Sequence, residues 1–242
     1  MIEVKNVSKS YNGKNKVVDN INFSVKNGEI FGFLGPNGAG KSTTIKMMTG
    51  ILGIDTGKIL IDGCNIKTQG LEAKKRFGYV PDNADMFLKL TAIEYLNFMA
   101  DIYNVDEEER KNVIKKLADI FEISKSLNEK IESFSHGMRQ KVAIIGALLH
   151  NPDNLIIDEP MTGLDPKAAY DLKKIMKLYS KDNRVVFFST HILEVAEKLC
   201  DRICIIDKGQ ILFIGTVEEM REKMQEKKSL EELFMEITNN DK

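Results

Sequence analysis

Short apolar runs alternate with polar segments along most of the chain, and their spacing predicts strands and helices in turn. Before residue 81, Asn-Gly and Asp-Gly pairs between these runs are typical of turns. The pattern there predicts strands at 2–7, 17–25, 30–34, 59–61 and 77–80, and a helix at 41–52. The strand at 30–34 is almost entirely apolar, which is typical of a strand buried on both faces.

The middle of the chain has a different character, because helical spacing dominates it. Helices are predicted at 92–103, 106–121 and 137–149, with no convincing strand among them, so residues 82–150 are predicted to form an inserted helical subdomain. Strands and helices then alternate again, with strands at 155–157, 185–189, 203–206 and 211–214 and helices at 166–181 and 192–200. This alternation predicts an α/β fold with a mostly parallel, doubly wound sheet.

The expected division of the chain follows from these segments. Residues 1–81 and 151–215 would form one core, 82–150 the helical subdomain, and 216–242 a C-terminal helical tail. Thr216 and Glu219 have the spacing of a capping box at the start of that tail.

Composition excludes several classes of protein. The 242 residues contain 35 Lys and Arg against 36 Asp and Glu, a formal charge of −1, so no global field attracts nucleic acid or anionic lipid. Three cysteines fit a reducing compartment, and Cys200 and Cys204 are expected to be buried structural residues rather than metal ligands. No apolar run approaches the roughly 20 residues that span a bilayer, and no signal-peptide pattern opens the chain. We therefore expect a cytoplasmic protein.

A glycine-rich loop follows the buried strand at 30–34 and precedes the helix at 41–52. Its pattern, Gly-x4-Gly-Lys-Ser, is a P-loop, whose backbone amides and helix N-terminus bind phosphates. A chance match is expected in about one chain in a hundred from residue usage, but the strand and helix on either side favour a nucleotide site. Lys41 would bind the β- and γ-phosphates, the Ser42 hydroxyl would ligate Mg²⁺, and Thr43 would lie beside the α-phosphate. The predicted nucleotide-binding residues of the loop are Gly35, Pro36, Asn37, Gly38, Ala39, Gly40, Lys41, Ser42 and Thr43.

Two carboxylates end the apolar strand at 155–157, and a histidine follows the strand at 185–189. Asp158 suits a Mg²⁺ contact through water, and Glu159 suits the general base that deprotonates the attacking water. A neutral His191 could hydrogen-bond both phosphate and Glu159 and hold that water in line. The alternatives are ordinary acids at a strand end and a structural histidine, and the P-loop favours the catalytic interpretation.

Together with these residues, Phe134-Ser-His-Gly137, which opens a helix before the acidic strand, and Gly163-Leu-Asp-Pro166 resemble the motifs of the ABC ATPases in their order. The resemblance covers most of the chain. It implies a P-loop NTPase fold with an N-terminal antiparallel β part, a mostly parallel core sheet and an inserted helical subdomain. It also implies ATP and Mg²⁺ as ligands, with Lys41, Glu159 and His191 as catalytic residues.

The same resemblance implies a head-to-tail dimer around two ATP-Mg²⁺. In that dimer each subunit would contact the nucleotide held by the other. The contacting residues would be Ser135, His136 and Gly137 of the signature, and Asp165. Tyr11 would stack on adenine, with Val17 at another edge of the base. Such subunits are cytoplasmic and attach to the inner face of the membrane through an integral-membrane permease, which they power. The dimer would contain two copies of this chain, or this chain and a related ATPase subunit.

Two positions depart from the family pattern. Asp82 stands where the Q-loop glutamine is expected, in the loop that would couple the ATPase to its permease and reach the metal. A carboxylate there is shorter and charged, so we expect slightly altered metal dependence with intact hydrolysis. The signature has His136 where glycine is common, and since Ser135 and Gly137 would make the phosphate contacts, His136 should be tolerated.

The C-terminal tail bears on the direction of transport. The tail at 229–238 is similar to the C-terminal segment of ATPases that serve ABC-2 type exporters, although an amphipathic helix docking on its own core has the same pattern. We therefore expect an exporter. A single-cassette ATPase that serves a soluble assembly scaffold is the alternative. A non-hydrolysing regulatory subunit is disfavoured by the intact catalytic residues, and the chain lacks the second cassette or long coiled coil of translation and DNA-repair members.

Overall fold

Two β-sheets form the centre of the protein in a computed structural model that describes residues 1–13, 15–85, 87–224 and 230–239. The first sheet is antiparallel and has the strand order β2-β1-β4-β5. Its strands are β1 (Ile2–Ser10), β2 (Lys16–Val25), β4 (Thr56–Ile61) and β5 (Cys64–Asn65).

The second sheet carries the core of the fold and has the order β10-β9-β3-β8-β7-β6. Its strands are β3 (Ile30–Leu34), β6 (Phe77–Val80), β7 (Asn154–Ile157), β8 (Val185–Thr190), β9 (Arg202–Asp207) and β10 (Gln210–Gly215). Neighbouring strands are parallel except β10, which pairs antiparallel with β9. Every residue of β3, β7 and β8 is buried, as expected for strands covered on both faces.

Helices cover the sheets and connect the parallel strands. They are α1 (Lys41–Met48), α2 (Gly70–Lys74), α3 (Ala92–Ile102), α4 (Glu107–Ile120), α5 (His136–Leu148), α6 (Pro166–Lys181), α7 (Leu193–Leu199), α8 (Val217–Met224) and α9 (Leu230–Asn239). None of the helices in the described ranges is long and apolar enough to cross a bilayer.

Two large apolar clusters lie on opposite faces of the second sheet. One lies between the two sheets, where the rings of Phe23, Phe31, Phe33 and Phe187 pack with centroids 5.5–6.0 Å apart. The other joins β7 and β8 to α3, α4, α5 and α6. Since aromatic pairs at this spacing add to the free energy gained by burial, the first cluster fixes the two sheets against each other.

Most predicted elements are present with small changes at their ends. The predicted helix at 41–52 ends at Met48, because Gly50 adopts a φ of 69° that an α-helix cannot continue through. The predicted capping box is confirmed: Thr216 accepts from the Glu219 amide at 3.0 Å, and the Glu219 carboxylate accepts from the Thr216 amide at 2.8 Å. The mixed sheet with helices agrees with the predicted α/β class.

The helices α3, α4 and α5 lie between β6 and β7, where the helical subdomain was predicted. The last of them is closely packed on the core sheet, since a Cβ at Gly78 of β6 would lie 2.1 Å from the carbonyl oxygen of Ala147. The division of the chain into units therefore stays a prediction. Of the predicted tail, residues 225–229 and 240–242 lie outside the described ranges.

Cys200 and Cys204 were predicted to be buried structural residues. Cys204 is fully buried and Cys200 is partly buried, and this burial raises the pKa of both thiols.

Candidate nucleotide site

The P-loop connects β3 to α1, and its glycines are required by the backbone. Gly38 and Gly40 have φ values of 81° and 108°, a left-handed region that favours glycine. A Cβ at Gly35 would lie 2.3 Å from the carbonyl oxygen of Ile206, and one at Gly40 would lie 2.8 Å from that of Val17. The loop therefore winds tightly against β2 and β9, with the positive end of α1 at its close.

Lys41 is the first residue of α1, and its ammonium group lies inside the loop. The side chain is only 6% exposed, and Nζ donates to the carbonyl oxygens of Gly35 at 2.8 Å and Pro36 at 3.3 Å. Its Nζ also lies 3.5 Å from Oε1 of Glu159. A buried cation surrounded mainly by carbonyl oxygens is suited to hold an anion such as a phosphate.

The two acids follow β7, and the register of the sheet places them beside the end of β8. Because Ile157 pairs with Phe188, Asp158 lies next to Ser189. The Ser189 hydroxyl donates to Oδ1 of Asp158 at 2.6 Å and accepts from the Glu159 amide at 3.0 Å. One hydroxyl thus orients both acids.

Asp158 is 1% exposed, and this burial raises the pKa of its carboxyl group. Hydrogen bonds from Ser189 and Ser42 oppose that rise, whereas the negative charge of Asp82 adds to it. A cation at this place would relieve the unfavourable burial of a carboxylate.

Glu159 links the P-loop to the end of β8. Its backbone has a φ of 49°, which is uncommon for a residue other than glycine and is typical of strained functional positions. Its Oε2 lies 2.9 Å from Nδ1 of His191, and its Oε1 faces Lys41. The carboxylate therefore bridges the P-loop lysine and the histidine that follows β8.

A cleft of about 220 Å³ lies in front of these groups. Asp82, Val17 and Glu159 line it together with seven residues of the P-loop motif: Pro36, Asn37, Gly38, Gly40, Lys41, Ser42 and Thr43. Tyr11 is 62% exposed, and its hydroxyl lies 3.3 Å from Oγ1 of Thr43, at the edge of the loop.

The predicted signature residues form a second group. Ser135 is the N-cap of α5 and accepts from the Met138 amide at 3.3 Å. Asp165 is the N-cap of α6 and accepts from the Ala168 amide at 2.9 Å. Lys141 of α5 pairs with Asp165 at 2.7 Å, and this ion pair, with the Ala168 amide, lowers the pKa of the Asp165 carboxyl.

The structure thus brings the predicted residues together in two sets. Val17, Asp82, Asp158, Glu159 and His191 gather around the P-loop. Ser135, His136, Gly137 and Asp165 gather where α5 and α6 begin, and the hydrogen bonds and ion pairs between described side chains do not join the two sets.

Two residues of these sets were not predicted. Ser189 was recognised only as a strand residue, and Lys141 only as part of a helix. The signal for Ser189 was its place at the end of a strand next to the acidic strand, but using it required the strand order. Lys141 lies four residues after Gly137, about one turn along α5, and its pairing with Asp165 depends on how α5 and α6 pack.

The residues present fit Mg²⁺ bound together with phosphate. Carboxylate and hydroxyl oxygens are its preferred ligands, and Asp158, Ser42 and Asp82 offer them beside the loop. No cluster of three or more His, Cys, Asp or Glu residues that could hold a metal occurs in the described ranges. Phosphate oxygens and water would therefore complete the coordination, as is usual for Mg²⁺ in nucleotide sites.

Known proteins are similar to this chain in sequence and in fold. The ABC transporter family pattern matches residues 18–162. The linearmycin resistance ATP-binding protein LnrL of Bacillus subtilis (strain 168) is 39% identical over 220 residues, which cover 91% of this chain and 70% of that protein. The Nod factor export ATP-binding protein I of Burkholderia orbicola (strain AU 1054) is 34% identical over 214 residues, which cover 88% of this chain and 70% of that protein.

Solved structures agree with the sequence relatives. An ATP-binding subunit of an ABC transporter superposes with a TM-score of 0.93 and 34% identity, covering 98% of this chain and 99% of that one. A dimeric ATP-binding cassette in a post-hydrolysis state, bound to ADP and phosphate, superposes with a TM-score of 0.81 and 27% identity, covering 90% of this chain and 99% of that one. The prediction from the motifs is confirmed: the chain belongs to the ABC transporter family, as one of its ATP-binding, ATP-hydrolysing subunits.

Proposed function

We propose that this chain dimerises head-to-tail around two ATP-Mg²⁺ and powers a separate integral-membrane permease, which works as an exporter. The subunit would lie in the cytoplasm on the inner face of the membrane. The observation that carries the catalytic part is the position of Glu159, whose carboxylate bridges Lys41 and His191 at the cleft.

Glu159 is the proposed general base. It lines the cleft next to the loop that would hold the phosphates, so a water in front of it can be aligned with the γ-phosphate. Lys41 would neutralise charge on the β- and γ-phosphates, which carry the developing charge during phosphoryl transfer.

His191 is the proposed positioning partner of that base. Because an ionised carboxylate only accepts hydrogen bonds, Nδ1 of His191 must donate to Glu159 across their 2.9 Å contact. In the neutral ring Nε2 is then an acceptor, so it cannot also donate to phosphate. The dual contact expected from the sequence therefore becomes a water-bridged one, in which Nε2 accepts from a water that donates to the γ-phosphate.

Ser42, Asp158 and Asp82 are the proposed Mg²⁺ residues, with Asp158 and Asp82 acting through water. When bound, the metal supplies positive charge that stabilises the phosphoryl oxygens. Hydrogen bonds from the Ser189 and Ser42 side chains hold the Asp158 carboxyl group in place.

Tyr11 and Val17 are the proposed adenine contacts. The Tyr11 ring is exposed beside Thr43, where a base can stack on it, a contact worth about 1–3 kcal/mol in nucleic-acid complexes.

The dimer would complete each site with the second set of residues. Ser135, His136 and Gly137 of one subunit lie at the positive end of α5, which favours contact with the γ-phosphate held by the other subunit. Asp165 belongs to the same surface. The similar cassette that is dimeric with ADP and phosphate bound supports the formation of a dimer.

An exposed apolar surface at Phe87 and α3 supports a permease contact. The ring of Phe87 packs 5.5 Å from that of Phe98 on α3. Phe87, Phe98 and Ile102 are 47%, 42% and 54% exposed, so this end of α3 presents apolar side chains to a partner. Export is supported by the relative named as a Nod factor export ATP-binding protein.

The catalytic proposal is tested by Glu159→Gln, which keeps the shape of the side chain and removes the base. We expect the ATPase kcat to fall by about 10²–10⁴-fold, with ATP binding preserved. Glu194→Gln, an exposed acid paired with Lys198, is the matched control and should hydrolyse normally. Undiminished hydrolysis by Glu159→Gln would rule out this base.

The alternative partner, a soluble assembly scaffold, is separated from a permease by co-purification. A tagged chain should be recovered with an integral-membrane protein from detergent-solubilised membranes. Recovery with a soluble complex alone would favour the alternative.

A further inference from the structure

The ring of His136 covers a glycine in the loop that precedes α6. A Cβ built on Gly163 would lie 2.2 Å from Cδ2 and 3.0 Å from Nε2 of His136, and its three nearest atoms all belong to the His136 ring. The imidazole therefore lies directly on Gly163, although the ring is otherwise exposed to solvent.

The neighbouring signature glycine, Gly137, also lies close to Gly163. A Cβ on Gly137 would lie 2.3 Å from the carbonyl oxygen of Gly163, so the backbones approach closely at this point. Gly163 itself has a φ of 77°, a left-handed conformation. The start of α5 and the loop before α6 are thus in contact through two glycine backbones and one side chain.

A second connection lies one helical turn further along. Lys141, 11% exposed, pairs with Asp165 at 2.7 Å, and Asp165 caps α6 through the Ala168 amide. The loop 163–165 is therefore fastened to α5 at both of its ends. Both segments carry residues that we assign to the partner's nucleotide.

We propose that His136 is a positioning residue, whose ring fixes loop 163–165 against the start of α5 so that both segments meet the partner's nucleotide as one body. The inference rests on the proposed head-to-tail dimer. It gives a role to the position at which this signature departs from the glycine that is common in the family. With glycine at 136, the ring that contacts Gly163 would be absent.

A double-mutant cycle tests the contact: wild type, His136→Gly, Gly163→Ala and the double variant. Alanine at 163 is strained by its left-handed φ in both backgrounds, but it collides with a ring only when His136 is present. We expect Gly163→Ala to lower the ATPase kcat by roughly fivefold or more in the His136 background and by less than about twofold in the His136→Gly background.

The single variants separate positioning from nucleotide binding. His136→Gly should lower kcat by about threefold with KM for ATP within about twofold of wild type. His136→Phe, which keeps a flat ring of similar size, should restore most of that loss. Urea unfolding of each variant should show that the fold is retained.

Two results would overturn the inference. One is strict additivity of the two substitutions in kcat. The other is a His136→Gly protein whose kcat is unchanged, or whose KM alone changes. Failure of the dimer proposal looks different, because the Glu159→Gln protein would then stay monomeric with ATP whatever residue occupies 136.

Discussion

Glu159 combines a strained backbone conformation with contacts to three other residues of the site. A left-handed conformation of a residue other than glycine costs about 1–3 kcal/mol and persists only where the surroundings enforce it. Here Ser189 accepts from the Glu159 amide, while Lys41 and His191 hold the two carboxylate oxygens. The strain places the carboxylate between the P-loop and β8, where the proposed chemistry needs it.

The burial of the Asp158 carboxyl predicts that removing its charge stabilises the fold but abolishes activity. Burial raises the pKa of its carboxyl, so the charged form is disfavoured in the fold at neutral pH, and the destabilisation grows as the pH rises through the raised pKa. Asp158→Asn should therefore unfold at a higher urea concentration than wild type at pH 7 without nucleotide. Mg²⁺-dependent ATPase should be lost. A variant less stable than wild type at pH 7 would contradict the electrostatic argument.

Asp82 predicts a change in metal dependence. It lies on the cleft and its charge adds to that of Asp158, so both acids would act on a cation bound there. We expect Asp82→Gln to keep hydrolysing ATP with a shifted Mg²⁺ activation curve, measured as ATPase rate at fixed ATP. Superimposable curves for the two proteins would show that Asp82 does not take part in metal binding.

Most residues near the nucleotide could be predicted because their motifs are local in sequence. Gly35 to Thr43 are consecutive, and Asp158 and Glu159 directly follow one strand. Ser189 could not be identified in this way, since its role depends on β8 lying beside β7 in register. Contacts between distant segments are set by topology, which the hydrophobic pattern does not contain.

At the scale of elements, the buried strands were predictable and the short ones were not. The two-residue β5 and the five-residue α2 are too short for a period to be recognised. The close packing of α5 on β6 through Gly78 also could not be inferred, because helical spacing shows that a face is buried and not what covers it.

His150 follows α5 and contacts β6, and its burial predicts a pH dependence of stability. Its ring stacks on Tyr103 with centroids 3.6 Å apart, and Nε2 lies 3.2 Å from the carbonyl oxygen of Phe77. Burial lowers the pKa of His150 from 6.5 to about 4. The unfolded chain therefore binds a proton that the fold excludes, so stability falls as the pH drops from about 6.5 toward 4.

The measurement compares wild type with His150→Phe, which keeps the stack and cannot titrate. Between pH 7 and pH 5 the free energy of unfolding of wild type should fall by about 1–2 kcal/mol more than that of the variant. Equal losses in the two proteins would assign the pH dependence to other groups.

At the scale of the whole molecule, no hydrogen bond or ion pair between described side chains joins the two sets of predicted residues. The P-loop set lies at the ends of β3, β7 and β8, and the signature set lies where α5 and α6 begin. A complete site in the proposed mechanism needs one set from each of two copies. ATP should therefore control association, and hydrolysis should release it.

The most direct test is the mass of Glu159→Gln in solution, measured by light scattering with and without ATP-Mg²⁺. The chain has a mass of 27.4 kDa. With the proposed base removed, ATP should hold two copies together, so the account predicts twice that mass with ATP and the single mass without it. A monomer at saturating ATP would contradict the account.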